Sequence, residues 1–469
     1  MKEVIPTFLD FEKSILKANL KEGKWLIWPL LRTAVFEELI NDVNKKKGLS
    51  GNTKRSKFSL NKIFFKTPLF FKEIASLLNY FKRADILVIN NESKVFKIDG
   101  KRTNKLISII EEALGSELKV VIFNTQITDI QAPNIPIVRI SLLLSSLTRI
   151  IYFFRRSKSL KKSIEFIADK ALGYYGVNLD HKFLKLHSFF RQIALATIIK
   201  IYIKMRKPRL LIFSDHGSMN AVNKVAEDMK VETIDYQHAI STSFHIVYSH
   251  GESLSNEYVQ YLSKYFFAWG EYSISRLKDR YKCMIVGNAQ FERSKKKYQN
   301  VKKERSILIV SDDQLTRKYL EETAVFLSEM LPDYQINYKL RPEEYFSWKS
   351  HYLSNNQEIK NLKFIDNDFE DLYSYITKSE FVIGTSSSVL IEAAPFSKVF
   401  ILERGWSYVM QDYISDGILK SSDSKEGIFR LISDQHVNEK INEEKLFFPY
   451  SVNLFKTKVM DLLEINKNC

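Results

Sequence analysis

The sequence predicts an α/β protein with two Rossmann-like parallel sheets behind a helical, basic N-terminal extension. Three observations carry this. Short β-branched runs alternate with helical patterns through most of the chain, the signature of βαβ units. Polar loops rich in Ser, Asp, His and Gly gather where the strand patterns end, which is where parallel sheets take their ligands. At 469 residues the chain exceeds what one hydrophobic core supports, and the charge-rich run Arg293–Arg305 divides the alternating pattern in two.

In order along the chain, Phe11–Asn44 reads as helices around Trp25-Leu-Ile-Trp-Pro-Leu-Leu-Arg32, with Trp25 and Trp28 one turn apart and assigned to the core. Residues 1–83 form the extension. The first sheet unit, 84–295, opens with the strand Ala84–Asn90. It continues through the helix Asn104–Leu114, the strand Lys119–Asn124, a long helical stretch Leu160–Arg206, the strand Arg209–Phe213 and the helix Met219–Met229. A linker, 296–304, leads to the second unit, 305–440. Its strands are Arg305–Val310, Tyr334–Leu340, Leu362–Ile365, the run from Phe381 and Val399–Leu402, with helices at Leu315–Leu331 and Asp368–Thr377. Residues 441–469 read as a C-terminal helical segment.

The chemistry concentrates in Phe381–Pro395. An apolar strand breaks at Gly384, offers Thr385, Ser386, Ser387 and Ser388, and restarts as a helix carrying Glu392. Small residues let the backbone approach an anion, hydroxyls and helix N–H groups donate to phosphate, and Glu392 accepts from ribose hydroxyls, so the segment reads as a nucleotide cradle. The same pattern also suits an ordinary strand–loop–helix with a Ser cap. Ser311, Gln314, Arg341 and Glu343 follow neighbouring strands and join the candidate set. The adjacent pair Asp312-Asp313 is read as loop or cap, not as a metal-binding Asp-x-Asp.

These residues resemble a family. Ser311-x-x-Gln314 after the first strand of the second unit, the basic-Pro pair Arg341-Pro342 and Gly384-Thr-Ser-Ser387 with Glu392-Ala393 resemble the donor half of GT-B glycosyltransferases. The nearest likeness is to the bacterial surface-polysaccharide group that includes sialyl-, Kdo- and polyol-phosphate transferases. In the first half, Asp235-Tyr-Gln-His-Ala239 is similar to that group's strand ending in Gln-His-Gly, and Trp269-Gly270 with Val286-Gly-Asn288 is similar to its domain-junction motif. The likeness spans roughly residues 84–440, with Ala239 in place of Gly and Arg341 in place of His as departures.

The resemblance implies two units facing a cleft and a metal-independent transferase without cofactor. Its substrates would be a nucleotide-sugar donor, CMP-linked by preference, and a growing glycan or lipid-linked acceptor. Phosphate falls to Ser386, Ser387 and Arg341, ribose to Glu392. The acceptor side lies in the first half, where a base must take a proton from the attacking hydroxyl. Asp215 and His238 are the candidates, with His216 beside Asp215 in the loop Ser214–Ser218. Asp215 also suits a helix cap, and His238 a buried, hydrogen-bonded imidazole. Two alternatives are a nucleotide-sugar epimerase of the same fold and a non-catalytic membrane-surface scaffold with a degenerate fold.

Charge bears on partners and place. Lys and Arg outnumber Asp and Glu by 71 to 55, a net +16. Residues 44–83 interleave basic side chains with Phe64-Phe65, Leu69-Phe-Phe71 and Tyr80-Phe81, which points to an anionic membrane surface; no nucleic-acid motif accompanies them. No apolar run reaches the ~20 residues of a spanning helix, and the N-terminus lacks a signal peptide's apolar core. The expected location is therefore cytoplasmic, peripheral at the inner face of the membrane. Cys283 and Cys469 offer neither a disulfide framework nor a zinc site.

Overall fold

The computed structural model describes residues 4–46, 84–91, 96–98, 101–115, 117–125, 135–137, 144–145, 158–251, 254–277, 280–312, 316–345, 348, 359–367, 371–434, 441 and 443–465. The lipid-contact stretch proposed for 44–83 therefore lies almost entirely outside the described residues, as does Gln314.

Helices Val4–Leu16 and Ile27–Lys46 flank a two-stranded ribbon, β1 (Lys21–Glu22) and β2 (Trp25–Leu26). Trp25 and Trp28 are buried with Phe8, Phe11 and Phe36, as core residues. Arg32 and Glu12 form a buried ion pair, Nε to Oε1 at 2.5 Å, and Trp28 Nε1 donates to the same carboxylate at 2.7 Å. Arg32 also donates to the carbonyls of Ile246 and Ser249, which ties the extension to the loop beyond the first sheet.

The strands that follow are β3 (Ile86–Asn90), β4 (Phe96–Ile98), β5 (Lys101–Thr103), β6 (Val120–Asn124), β7 (Ile135–Pro136), β8 (Leu210–Phe213), β9 (Glu232–Tyr236), β10 (Tyr265–Ala268) and β11 (Lys282–Ile285). Apart from the small β4–β5 ribbon they make one parallel sheet in the order β11-β10-β9-β8-β3-β6-β7. Alternation along each strand divides the two faces. Ile86, Val88, Leu210 and Ile212 pack under the helix Lys105–Leu114, while Leu87, Ile89, Leu211 and Phe213 pack against Phe190–Arg206 and the extension. The helical stretch Leu160–Arg206 is interrupted: Lys158–Tyr175 ends at Gly176, whose φ of +62° suits glycine, and a π-helical segment Leu184–Phe189 precedes Phe190–Arg206.

The second parallel sheet comprises β12 (Glu304–Val310), β13 (Gln335–Lys339), β14 (Leu362–Ile365), β15 (Ser379–Gly384), β16 (Lys398–Leu402) and β17 (Lys420–Ser422), ordered β14-β13-β12-β15-β16-β17. Of the stretch 296–304, residues up to Tyr298 complete the helix Ala289–Tyr298 and Glu304 opens β12, so 299–303 make the connection. One face of this sheet, with Leu308, Val310 and Val382, shares a continuous apolar core with the first unit.

The chain then returns. Helix Val452–Ile465 buries Phe455, Val459, Leu462 and Leu463 against the first sheet. Its approach explains two motif glycines: a Cβ on Gly270 would lie 2.6 Å from the Leu446 carbonyl oxygen, and one on Gly287, at φ +78°, 2.6 Å from that of Phe448. Among the described residues no helix is long and apolar enough to cross a membrane.

Candidate functional site

Each sheet reverses its strand order once, and doubly wound sheets take ligands in the crevice at that point, beyond the carboxyl ends of the strands. The reversal falls between β3 and β8 in the first sheet and between β12 and β15 in the second.

At the first crevice Asn91 is the organiser, a residue the sequence pattern did not single out. Its Oδ1 accepts the Ser214 hydroxyl at 3.1 Å, and its Nδ2 donates to the Asp215 carbonyl at 3.4 Å and to Ser218 Oγ at 3.3 Å. Behind it, Asn104 donates to Asn90 at 2.7 Å and Asn90 to Asn124 at 3.1 Å, a buried amide chain at the strand ends. Asp215 holds a left-handed backbone, φ +63°, which Asp accepts more readily than most residues. Gly217 lets this loop close, since a Cβ there would meet Val247 Cγ2 at 2.8 Å. His216 begins the one-turn helix His216–Ser218.

His238 lies two residues beyond β9, as Asp215 lies two beyond the adjacent β8, so the pair edges the same side of the sheet; both are half-buried. Gln237 is fixed structurally, accepting the Trp269 N–H at 2.8 Å and donating to the Ala239 carbonyl at 3.1 Å. Beneath them the buried Tyr248 donates to Asp235 at 3.3 Å. Burial, then the charges of Asp235 and Asp215, hold its phenol well above the usual range, so it stays protonated.

At the second crevice the sequence-derived set is brought to one edge but is engaged internally. Ser311 donates to Glu344 Oε2 at 2.7 Å, and Arg317 closes on Glu344 at 2.9 and 2.7 Å. The buried acid of the Arg341-Pro-Glu-Glu segment is therefore Glu344; Glu343 is exposed and pairs with Arg341 at 2.7 Å. Asp312 is more than a loop or cap residue: its Oδ2 accepts Thr385 Oγ1 at 2.6 Å, Ser386 Oγ at 2.6 Å and the Ser386 N–H at 2.8 Å. Ser387 caps the short helix Ser388–Ala393, accepting the Val389 N–H at 3.4 Å, and Ser388 opens it. Glu392 is buried, accepting Lys105 Nζ of the first unit at 2.8 Å and the Tyr373 hydroxyl. Arg404, after β16, stacks its guanidinium 5.2 Å from the Tyr319 ring centre and was not anticipated.

Lys105 immediately follows Asn104, so its pair with Glu392 joins the two carboxyl edges directly. A second seam runs through the loop after β9. Ser243 donates its N–H and hydroxyl to Asp412 at 2.7 and 2.8 Å, and Thr242 donates to the Val409 carbonyl at 2.9 Å. Two surface recesses, about 590 Å³ beside Lys13, Lys17 and Lys170 and about 220 Å³ at the amino ends of β12–β15, adjoin neither crevice. Convergent polar groups make the crevices, rather than these recesses, the candidate site.

No family model matches the chain, and no curated protein sequence does. Solved structures match it in fold. A co-structure of S. aureus MnaA with UDP aligns over 82% of this chain and 96% of its own at 15% identity, TM-score 0.48. Methanocaldococcus jannaschii UDP-GlcNAc 2-epimerase with UDP-GlcNAc and UDP aligns over 81% and 99% at 15% identity, TM-score 0.48. The Neisseria meningitidis UDP-GlcNAc 2-epimerase bound to UDP-GlcNAc aligns over 81% and 99% at 15% identity, TM-score 0.47. The two parallel sheets and their strand orders make the architecture α/β with two Rossmann-like units, the two-domain GT-B type. The expectation of a glycosyltransferase with a CMP-linked donor and a glycan acceptor is corrected toward its epimerase alternative, because the solved structures that share the fold include UDP-GlcNAc 2-epimerases.

Proposed function

We propose that the chain is a nucleotide-sugar epimerase, with the nucleotide at the carboxyl edge of the second sheet and the sugar presented to Asp215 and His238 at the edge of the first. The observation that carries this is the closed juxtaposition of the two edges, joined by Lys105–Glu392 and by Ser243–Asp412. Such an interface suits a small soluble substrate handled by acid and base groups without an acceptor chain. Arg341 and Arg404 supply cations for phosphate. The Arg341–Glu343 pair is solvent-exposed and so worth little, which leaves Arg341 free to exchange partners.

A stereocentre inverts when a proton leaves one face and another returns to the opposite face. Asp215 is the base that takes the first proton while the electron pair of the broken C–H bond expels the nucleotide diphosphate from the neighbouring carbon, and His238 is the acid that returns a proton to the other face as that bond re-forms; each transfer contributes typically ~10²–10⁴-fold. The fold matches make a UDP-N-acetylhexosamine the first compound to try.

Wild type, Asp215→Asn and His238→Asn are incubated with UDP-GlcNAc, then with other UDP-, GDP- and CMP-sugars, without acceptor, and products are followed by NMR. Wild type should form the epimeric nucleotide sugar, and Asp215→Asn should lose about a hundredfold or more in rate. Unchanged sugar across the panel, with nucleotide bound, would overturn the epimerase reading.

A further inference from the structure

The hydroxyl-rich turn after β15 already holds an anion of the protein's own. Asp312 Oδ2 receives three donors, two hydroxyls at 2.6 Å and one amide at 2.8 Å, and this saturates the oxygen. Thr385 is fully buried beneath it, so its hydroxyl has nowhere else to donate. Oδ1 of the same carboxylate accepts from no described group. Two cations of this edge are held in buried pairs: Arg317 closes on Glu344 and Lys105 on Glu392.

A phosphate entering this turn would find the Thr385 and Ser386 donors occupied and a carboxylate at contact distance, and like charges that close repel strongly where water is excluded. A hydroxyl meets the opposite situation, an open acceptor on a rigidly held carboxylate. Glu392, the acid expected to hold ribose, is buried and spent on Lys105 and Tyr373.

We infer that Asp312 inverts the polarity of this turn, making it the subsite for the ribose diol of the nucleotide and closing it to phosphate, which stays outside on the arginines. This rests on the reading that a nucleotide sugar binds at this edge.

The test compares wild type, Asp312→Ala and the neutral isostere Asp312→Asn, each checked for a native circular-dichroism spectrum. Calorimetric titration uses UDP, 2′,3′-dideoxy-UDP and inorganic pyrophosphate. Wild type should prefer UDP to its dideoxy analogue by about tenfold or more, the effect of a hydrogen bond to a charged group, and both variants should lose most of that preference. Asp312→Ala, with the three donors released, should bind pyrophosphate at least about tenfold more tightly than wild type, a gain that a merely damaged protein does not produce. Preference retained in both variants, or pyrophosphate affinity unchanged in Asp312→Ala, overturns the inference. If UDP binds none of the three, the nucleotide reading falls by itself, and the pyrophosphate arm still decides whether Asp312 shuts the turn to anions.

Discussion

Removing the charge of Lys105 is predicted to destabilise the protein and loosen its two halves. The ammonium sits 2.8 Å from Glu392, with side-chain exposures of 22% and 5%. At an effective dielectric near 20 the attraction at that distance is roughly 6 kcal/mol, an upper bound before desolvation is subtracted. Deleting one partner of a buried pair costs about 3–5 kcal/mol, and the partial exposure of Lys105 brings the expectation to about 2–3 kcal/mol. Lys105→Met leaves Glu392 buried with only the Tyr373 hydroxyl as donor. Adding Glu392→Gln removes the stranded charge, so the double variant should recover much of the loss, with a coupling of about 2 kcal/mol. Urea unfolding followed by fluorescence reads this, since Lys105 Nζ lies 5.1 Å from the Trp269 ring centre. If the double variant equals the sum of the singles within about 0.5 kcal/mol, the pair is not the bridge described here.

Two further predictions follow from packing. Burial lowers the Lys303 ammonium to about 8, against an opposing pull from Glu380, while its Nζ donates to the Ser379 carbonyl at 2.6 Å. The unfolded chain, near 10.5, binds more protons between these values, so stability should rise as pH goes from about 8 to about 10.5. That rise should be absent in Lys303→Met when urea midpoints are measured across the range. Gly287→Ala combines a positive φ with a Cβ 2.6 Å from a backbone oxygen, so it should cost about 2–4 kcal/mol. A midpoint equal to wild type would show that residues 448–450 do not pack there.

The sequence by itself determined the alternation of strands and helices, the division into two units and the loops that carry chemistry. These rest on short-range physics: β-branched runs favour strands, Asn104 caps the helix it precedes, and a parallel sheet delivers its ligand-facing residues just beyond the strand ends. Asp215, His238, Ser311, Thr385 and Ser386 were found in this way at carboxyl edges. What those residues touch was decided only in three dimensions. Asp312 meets Thr385 across 73 positions of chain, and Lys105 meets Glu392 across 287, separations at which no local pattern marks the partner. Glu343 and Glu344 are adjacent in sequence, yet a one-turn helix buries the second and leaves the first in water. Gly270 and Gly287 read in sequence as parts of a domain-junction motif, and only the fold shows that the returning C-terminal segment is what presses against them. Tertiary packing sets these outcomes because a charged side chain takes the nearest buried partner available, and the fold, not the neighbouring residues, chooses which partner that is.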